Sequence, residues 1–139
     1  MLSDELKNTI QSAYTRFLDS KDLKARYGQR LMIAEVAKTL GSIAVDEEGK
    51  RSADPAVVAI EAGTGTGKTV AYSLAAIPVA KAAGKRLVIA TATVALQEQI
   101  VDKDLPDIIK NSGLTFSYAL AKGRGRYLCL SKLDALSQQ

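Results

Sequence analysis

The sequence predicts an α/β fold, a parallel sheet with flanking helices, and three observations carry that prediction. Val57-Val58-Ala59-Ile60 is a run of apolar, mostly β-branched residues. It passes directly into Glu61-Ala62-Gly63-Thr64-Gly65-Thr66-Gly67-Lys68-Thr69 and then into an alanine-rich helical stretch. That is the strand–loop–helix order of a phosphate-binding loop. Two further strand-like segments follow, residues 86–90 and 115–121, each set off from the previous one by helix-forming sequence. Strand, helix, strand, helix, strand requires right-handed crossovers and therefore a parallel sheet. Finally, 139 residues with 47% hydrophobic content leave room for one domain with a real core.

Composition narrows the function classes. A net charge of +4 permits an anionic partner. One cysteine and no histidine exclude a disulfide framework within the chain and argue against a metal site built from this chain alone. No apolar run approaches a membrane-spanning length, and Met1-Leu2-Ser3-Asp4-Glu5 is acidic rather than signal-like, which predicts a cytoplasmic protein with no membrane partner.

Taken in order, the chain opens on an amphipathic helix from Ser3 to about Ser20. Ser3 can cap it, Asp4 and Glu5 suit its first turn, and Leu6, Ile10, Ala13, Tyr14, Phe17 and Leu18 share a face that packs on the domain. Residues 21–26 form a charged connector. A second helix runs to a C-terminal cap at Gly41 and buries Met32, Ile33, Val36, Ala37 and Leu40. Residues 42–56 read as a polar, mobile loop.

The loop itself carries the chemistry. Glycines at 63, 65 and 67 admit backbone conformations closed to other residues and bring N–H groups close to phosphate oxygens. The following helix adds its unpaired N-terminal donors and the positive end of its dipole. Lys68 reaches the β/γ-phosphates and Thr69 ligates Mg²⁺, so these two are the candidate catalytic residues. Gly63, Thr64, Gly65, Thr66 and Gly67 complete the candidate nucleotide cradle. The strict pattern asks for Gly where this chain has Ala62, so the match is to the relaxed form, and a plain Gly/Thr surface loop is the alternative. Gln29 is a candidate adenine contact, because its amide both donates and accepts; taken alone it is equally a polar residue at a helix start.

Beyond the loop, helix-forming sequence runs from Thr69 to about Ala83. Pro78 lies inside it, Gly84 ends it, and Lys81 and Lys85 sit near its last carbonyls. Arg86-Leu87-Val88-Ile89-Ala90 is a continuous apolar strand of the kind buried on both faces. Thr91-Ala92-Thr93 opens another helix, which should stop before Pro106 and give way to a short turn over residues 104–110. Gly113 precedes the third strand, with Phe116, Tyr118 and Leu120 on one side. In Lys122-Gly123-Arg124-Gly125-Arg126-Tyr127, three cations alternate with glycines beside an aromatic. That suits nucleic-acid phosphates, and it equally suits a solvated basic loop.

With these residues on the page, the chain resembles the DinG family, in the DinG/XPD-like branch of the superfamily 2 helicases, over roughly residues 26–136. Residues 61–69 resemble that branch's motif I, where Ala in place of the first Gly is usual. Arg26 with Gln29 is similar to its adenine-reading Q-motif. Thr91, Thr93 and Gln97 resemble motif Ia, which grips single-stranded DNA, and Lys122, Arg124 and Arg126 extend that candidate DNA surface. Cys129 is placed where the family has the first of four ligands to a [4Fe–4S] cluster.

The resemblance implies a RecA-like P-loop NTPase fold. Residues 1–25 would be an N-terminal helix and connector, and residues 26–139 the N-terminal part of the first motor domain, ending where an iron–sulfur insertion begins. It implies ATP and Mg²⁺ as cofactors, with a [4Fe–4S] cluster in the full-length parent. The partner is single-stranded, forked or R-loop DNA, and the movement 5′→3′. The chain departs from the family in holding one cysteine and no acidic Asp-Glu-Ala-His-type segment. It therefore reads as an incomplete motor, inactive by itself and prone to self-association. Two other readings stay open at this point: a P-loop kinase or small NTPase with no nucleic-acid role, and a non-catalytic adaptor that binds DNA or protein.

Overall fold

The first helix begins where a hydroxyl can cap it. Ser3 has extended backbone angles and its Oγ accepts the Leu6 N–H at 3.1 Å, opening α1 (Asp4–Ser20). The structure, a computed structural model, describes residues 1–138. Ile10, Ala13, Tyr14, Phe17 and Leu18 are the buried stripe of α1, at the spacing the sequence predicts. Its C-terminal end is tied to the far half of the chain. Lys21 pairs with Asp107 while lying 5.2 Å from the Phe17 ring centroid, and the Ser20 hydroxyl donates to the Asn111 carbonyl at 3.4 Å.

The second helix, α2 (Tyr27–Gly41), buries Met32, Ile33 and Ala37. Gly41 is not the left-handed cap expected of it: it is the last helical residue, and Ser42 caps the helix in a right-handed conformation. Close packing explains the glycine. A Cβ at Gly41 would stand 2.6 Å from Cγ of Leu2, so its absence lets the N-terminal leucine lie against the helix end. The stretch expected to be a mobile loop contains a small hairpin instead. Val45 pairs with Arg51, Gly49 takes a φ of +78°, and Asp46 Oδ1 accepts the N–H groups of Glu48 and Lys50 at 3.0 and 2.8 Å. The aspartate side chain organises the turn that its polarity advertised.

Helix α3 (Lys68–Ala82) is the centre of the core, with Ala71, Leu74 and Ala75 fully buried between α1 and α2. It runs uninterrupted through Pro78, which is itself buried. Gly84 closes it at φ +62°, with the Lys85 N–H donating to the Ala80 carbonyl at 2.9 Å. The lysines do not serve its carbonyls: Lys81 Nζ donates to the carbonyl and hydroxyl of Thr115 at 2.8 and 3.0 Å, and Lys85 Nζ to the Gly49 carbonyl at 3.4 Å.

The helix expected to stop before Pro106 does not stop. α4 (Val94–Gln99) passes into a π-helical turn (Ile100–Asp104) and then α5 (Leu105–Ser112). In a regular helix the Pro106 ring would meet the carbonyl four residues back. The π-turn inserts a residue, so the Leu105 N–H bonds to Ile100 five residues back, and Pro106 falls in the first turn of α5, where no N–H is needed. Gly113 then ends α5 at φ +76°.

The parallel sheet expected from the sequence is not seen among the described residues. Residues 57–62, 86–90 and 115–121 are non-helical, as expected, but no ladder joins them among the described residues. Ile89, Leu114 and Phe116 pack on a small cluster of Ile77, Ile100 and Leu105, while Val57 and Val88 are 82% and 84% exposed. Residues 57–60 and 87–90 are apolar on both faces, as buried strands are. Here residues 57–60 and 86–88 are exposed at every position, so the helices leave most of these segments uncovered. The chain closes with a 3₁₀ turn (Arg124–Arg126) and α6 (Leu130–Ser137), a helix the sequence reading left out, whose leucines 130, 133 and 136 are all exposed.

Candidate nucleotide site and nucleic-acid face

Gly67 is the N-cap of α3 at φ +71°, and Gly65 stands at φ +79° two residues earlier. Both lie in the left-handed region that favours glycine, so the alternating glycines are a requirement of the backbone path. Side-chain donors occupy the loop's carbonyls one after another. Lys68 Nζ donates to Ala62 at 2.9 Å, Thr66 Oγ1 to Gly63 at 2.8 Å, Arg26 Nη1 to Gly65 at 2.8 Å, and Gln29 Nε2 to Gly67 at 3.4 Å. By contrast, the N–H groups of residues 64–67 make no hydrogen bond among the described residues, and α3 has no side-chain cap. Fixed carbonyls and free N–H groups at the mouth of a fifteen-residue helix are the arrangement that receives an anion.

The structure thus brings the candidate nucleotide residues together: Arg26, Gln29, Gly63, Gly65, Thr66, Gly67 and Lys68 form one hydrogen-bonded unit, with Thr64 and Thr69 inside the same loop and first helical turn. It also adds one residue whose place in an apolar stripe predicts packing alone. Tyr14, buried on α1, donates its hydroxyl to Gln29 Oε1 at 3.0 Å and accepts the Arg26 N–H at 3.4 Å. Its position in an apolar stripe hid the polar end of the ring, though a buried tyrosine normally has a partner for it.

For Mg²⁺ the candidate ligand is Thr69, in the first turn of α3, and no cluster of three acidic, histidine or cysteine side chains exists among the described residues. That fits a cation held mainly by phosphate and water. The residues do not fit a [4Fe–4S] cluster. Such a cluster needs four thiolates, whereas Cys129 is the sole cysteine and stands exposed at the start of α6.

Of the candidate nucleic-acid residues, the structure joins Arg126 to Gln97. Its Nε2 donates to the Ala121 carbonyl at 3.3 Å and its Oε1 accepts from Arg126 Nη1 at 2.8 Å, which joins α4 to the basic loop. The Tyr127 hydroxyl accepts the Lys122 N–H at 2.8 Å and braces the same loop. Thr91 Oγ1 donates to the Thr93 carbonyl at 3.2 Å, and Thr93 Oγ1 accepts the Leu96 N–H at 3.2 Å, capping α4. The side chains of Lys122 and Arg124 make no hydrogen bond or ion pair among the described residues and remain exposed. Gln97 and Arg126 are thus tied to each other, and the two free cations face solvent.

Comparison with known proteins fits this geometry. The family described as DEAD/DEAH box helicase matches residues 29–137. The chain is 42% identical over 136 residues to the ATP-dependent DNA helicase DinG of Photobacterium profundum, covering 97% of this chain and 19% of that protein. It is 42% identical over 137 residues to the proteins of the same name from Escherichia coli K12 and Salmonella typhimurium LT2, covering 98% of this chain and 18% of each. The chain therefore spans about a fifth of the length of these curated relatives.

Proposed function

This chain belongs to the DEAD/DEAH box helicase family, and we propose that it is the nucleotide-binding part of an ATP-dependent DNA helicase of the DinG kind. The observation that carries the proposal is the loop 62–69. Its carbonyls are occupied by Lys68, Thr66, Arg26 and Gln29, and its N–H groups are free at the uncapped start of α3. Lys68 and Thr69 are the catalytic residues of this reading. Lys68 exchanges the Ala62 carbonyl for the β/γ-phosphates, and Thr69 turns its hydroxyl to Mg²⁺. Gln29 meets the adenine, and Arg26 holds the loop at Gly65.

A RecA-like fold follows from the family. Residues 57–62, 86–90 and 115–121 would serve as strands of its parallel sheet within a first motor domain over 26–139. Residues 1–25 would be an accessory helix and connector. The unpaired apolar residues Val57 and Val88 would make the isolated chain self-associate. In the helicase, hydrolysis of Mg²⁺·ATP would drive movement 5′→3′ along single-stranded DNA, at forks or R-loops in the cytoplasm. Thr91, Thr93, Gln97, Lys122, Arg124 and Arg126 would hold the DNA backbone. Contacts of this kind carry no base information. Cys129 offers one thiolate, and no step of this reading passes through a cluster.

This chain has no acidic motif to position water, so binding without turnover is the expected behaviour. The test is titration of a fluorescent ATP analogue with Mg²⁺, with and without single-stranded DNA, beside Lys68→Ala. Binding that single-stranded DNA tightens and Lys68→Ala removes supports the reading. Affinity indifferent to DNA would move the chain to a kinase-like NTPase, and DNA-stimulated hydrolysis by the 139-residue chain would refute binding without turnover.

A further inference from the structure

We propose that Tyr14 sets base specificity at this site, as a positioning residue that fixes the Gln29 amide in the one orientation able to read adenine. The proposal rests on the reading of Gln29 as the adenine contact, and it concerns a residue of α1 that precedes the stretch 29–137 matched by the family.

Hydrogen-bonding capacity carries the argument. A carbonyl oxygen only accepts, so the end of the Gln29 amide facing Gly67 O, at 3.4 Å, must be Nε2. The Tyr14 hydroxyl has one proton, and with the Arg26 N–H directed at its oxygen at 3.4 Å, that proton goes to Gln29 Oε1 at 3.0 Å. A directed chain results, from the Arg26 N–H through the Tyr14 O–H to the Gln29 carbonyl, and from the Gln29 N–H to the cap of α3. Turning the amide over would set oxygen against the Gly67 carbonyl and nitrogen against the hydroxyl, so both ends resist the flip.

What remains on Gln29 is one N–H and one acceptor site. Adenine presents an amino donor beside the N7 acceptor, which this pair complements, whereas guanine presents two acceptors there, O6 and N7. The ring of Tyr14 is buried in the core of α1, α2 and α3, so the hydroxyl is held in place by packing. Gly67 adds a steric condition. A Cβ at that position would run into the Gln29 amide, so the close approach of the two exists only with glycine.

The experiment is competition binding to the 139-residue chain with Mg²⁺, comparing ATP, GTP and pyrophosphate across the unsubstituted chain, Gln29→Ala and Tyr14→Phe. Tyr14→Phe keeps the buried ring and removes only the hydroxyl. The unsubstituted chain should prefer ATP over GTP by roughly tenfold or more, the scale of one well-placed bidentate contact. Both substitutions should bring that ratio close to one, and Tyr14→Phe, which leaves the loop's own side-chain donors in place, should keep pyrophosphate affinity within about twofold. If Gln29→Ala collapses the ratio and Tyr14→Phe preserves it, the role of Tyr14 is refuted and the adenine reading stands. A ratio near one in the unsubstituted chain, or one that Gln29→Ala leaves intact, overturns both. Equal losses of all three ligands in Tyr14→Phe would make Tyr14 a structural residue and overturn the inference.

Discussion

The chain contains the same local design twice, an apolar segment, a threonine-bearing loop and a helix start, and the two copies end differently. At the first, Gly67 caps α3 with no side chain, and the loop's N–H groups stay unbonded. At the second, Thr93 caps α4 with its own hydroxyl, which takes the Leu96 N–H at 3.2 Å. An open cap leaves backbone donors for a ligand, and a closed cap spends them on stability. The first loop is thus suited to a phosphate held by N–H groups. The second has given its Leu96 N–H to Thr93, and beside it stand the free cations Lys122 and Arg124 of the basic loop braced against Gln97.

Making the first loop like the second is the harshest way to test that contrast. Gly67→Thr places a β-branched side chain at φ +71° and drives its Cβ into the Gln29 amide. The strain alone should cost about 1–3 kcal/mol of folding stability, read from denaturant midpoints at unchanged slope. Nucleotide binding should fall below detection, because the new hydroxyl competes for the same N–H groups. Survival of binding would mean the open cap is irrelevant. Lys68→Ala is gentler and separates function from folding. The side chain is exposed and its one bond goes to Ala62 O, so stability should barely move. The lost charge-assisted contact to phosphate should weaken Mg²⁺·ATP by about 1.5–3 kcal/mol, roughly 10- to 150-fold by calorimetry.

Opening the second loop completes the exchange. Thr93→Ala should cost about 1 kcal/mol through loss of the cap, and Thr93→Gly only a few tenths, with no change in nucleotide affinity in either variant. A drop in nucleotide affinity would mean the two loops are coupled.

Much of this was legible in the sequence, because it rests on local rules. Ser3, the stripe on α1, the glycines of the loop and Gly84 each follow from capping or periodicity within a few residues. What escaped depended on partners distant along the chain. Gly41 looked like a cap because its contact is with Leu2; Lys81 looked like a helix-end charge because Thr115 is 34 residues away. Pro106 looked like a stop because a π-turn is invisible in composition. Arg26 follows only from family resemblance, and Gln29 from its amide together with that resemblance. Their bonds to Gly65 and Gly67, and the Tyr14 hydroxyl that links them, belong to the folded arrangement. The sheet follows from continuous apolar runs, whose burial needs cover that the described residues do not supply: residues 57–60 and 86–88 are exposed at every position.

The smallest expected effects separate the two helical units by their unsatisfied atoms. Each has one buried polar atom without a partner: Ser73 Oγ in α3 and Asp104 Oδ2 in the π-turn after α4. Neither position lies in the nucleotide loop, so both should yield to substitution. Burial pushes the Asp104 carboxyl above its ordinary value of 3.8. Asp107 adds to the shift, and Lys103, a Gln99 hydrogen bond and Lys21 oppose it. The folded state then holds this proton more tightly than the unfolded chain does, so this group's contribution falls as pH rises above about 3.8. Asp104→Asn removes the titration. It should raise the melting temperature slightly at neutral pH, by no more than about 0.5 kcal/mol in stability, with the gain vanishing as pH drops below the ordinary carboxylate value. Ser73→Ala should give a gain of similar size that is flat with pH, since a hydroxyl does not titrate there. A pH-independent gain in Asp104→Asn would mean the carboxylate is already satisfied in solution. The two helices would then differ only at their caps.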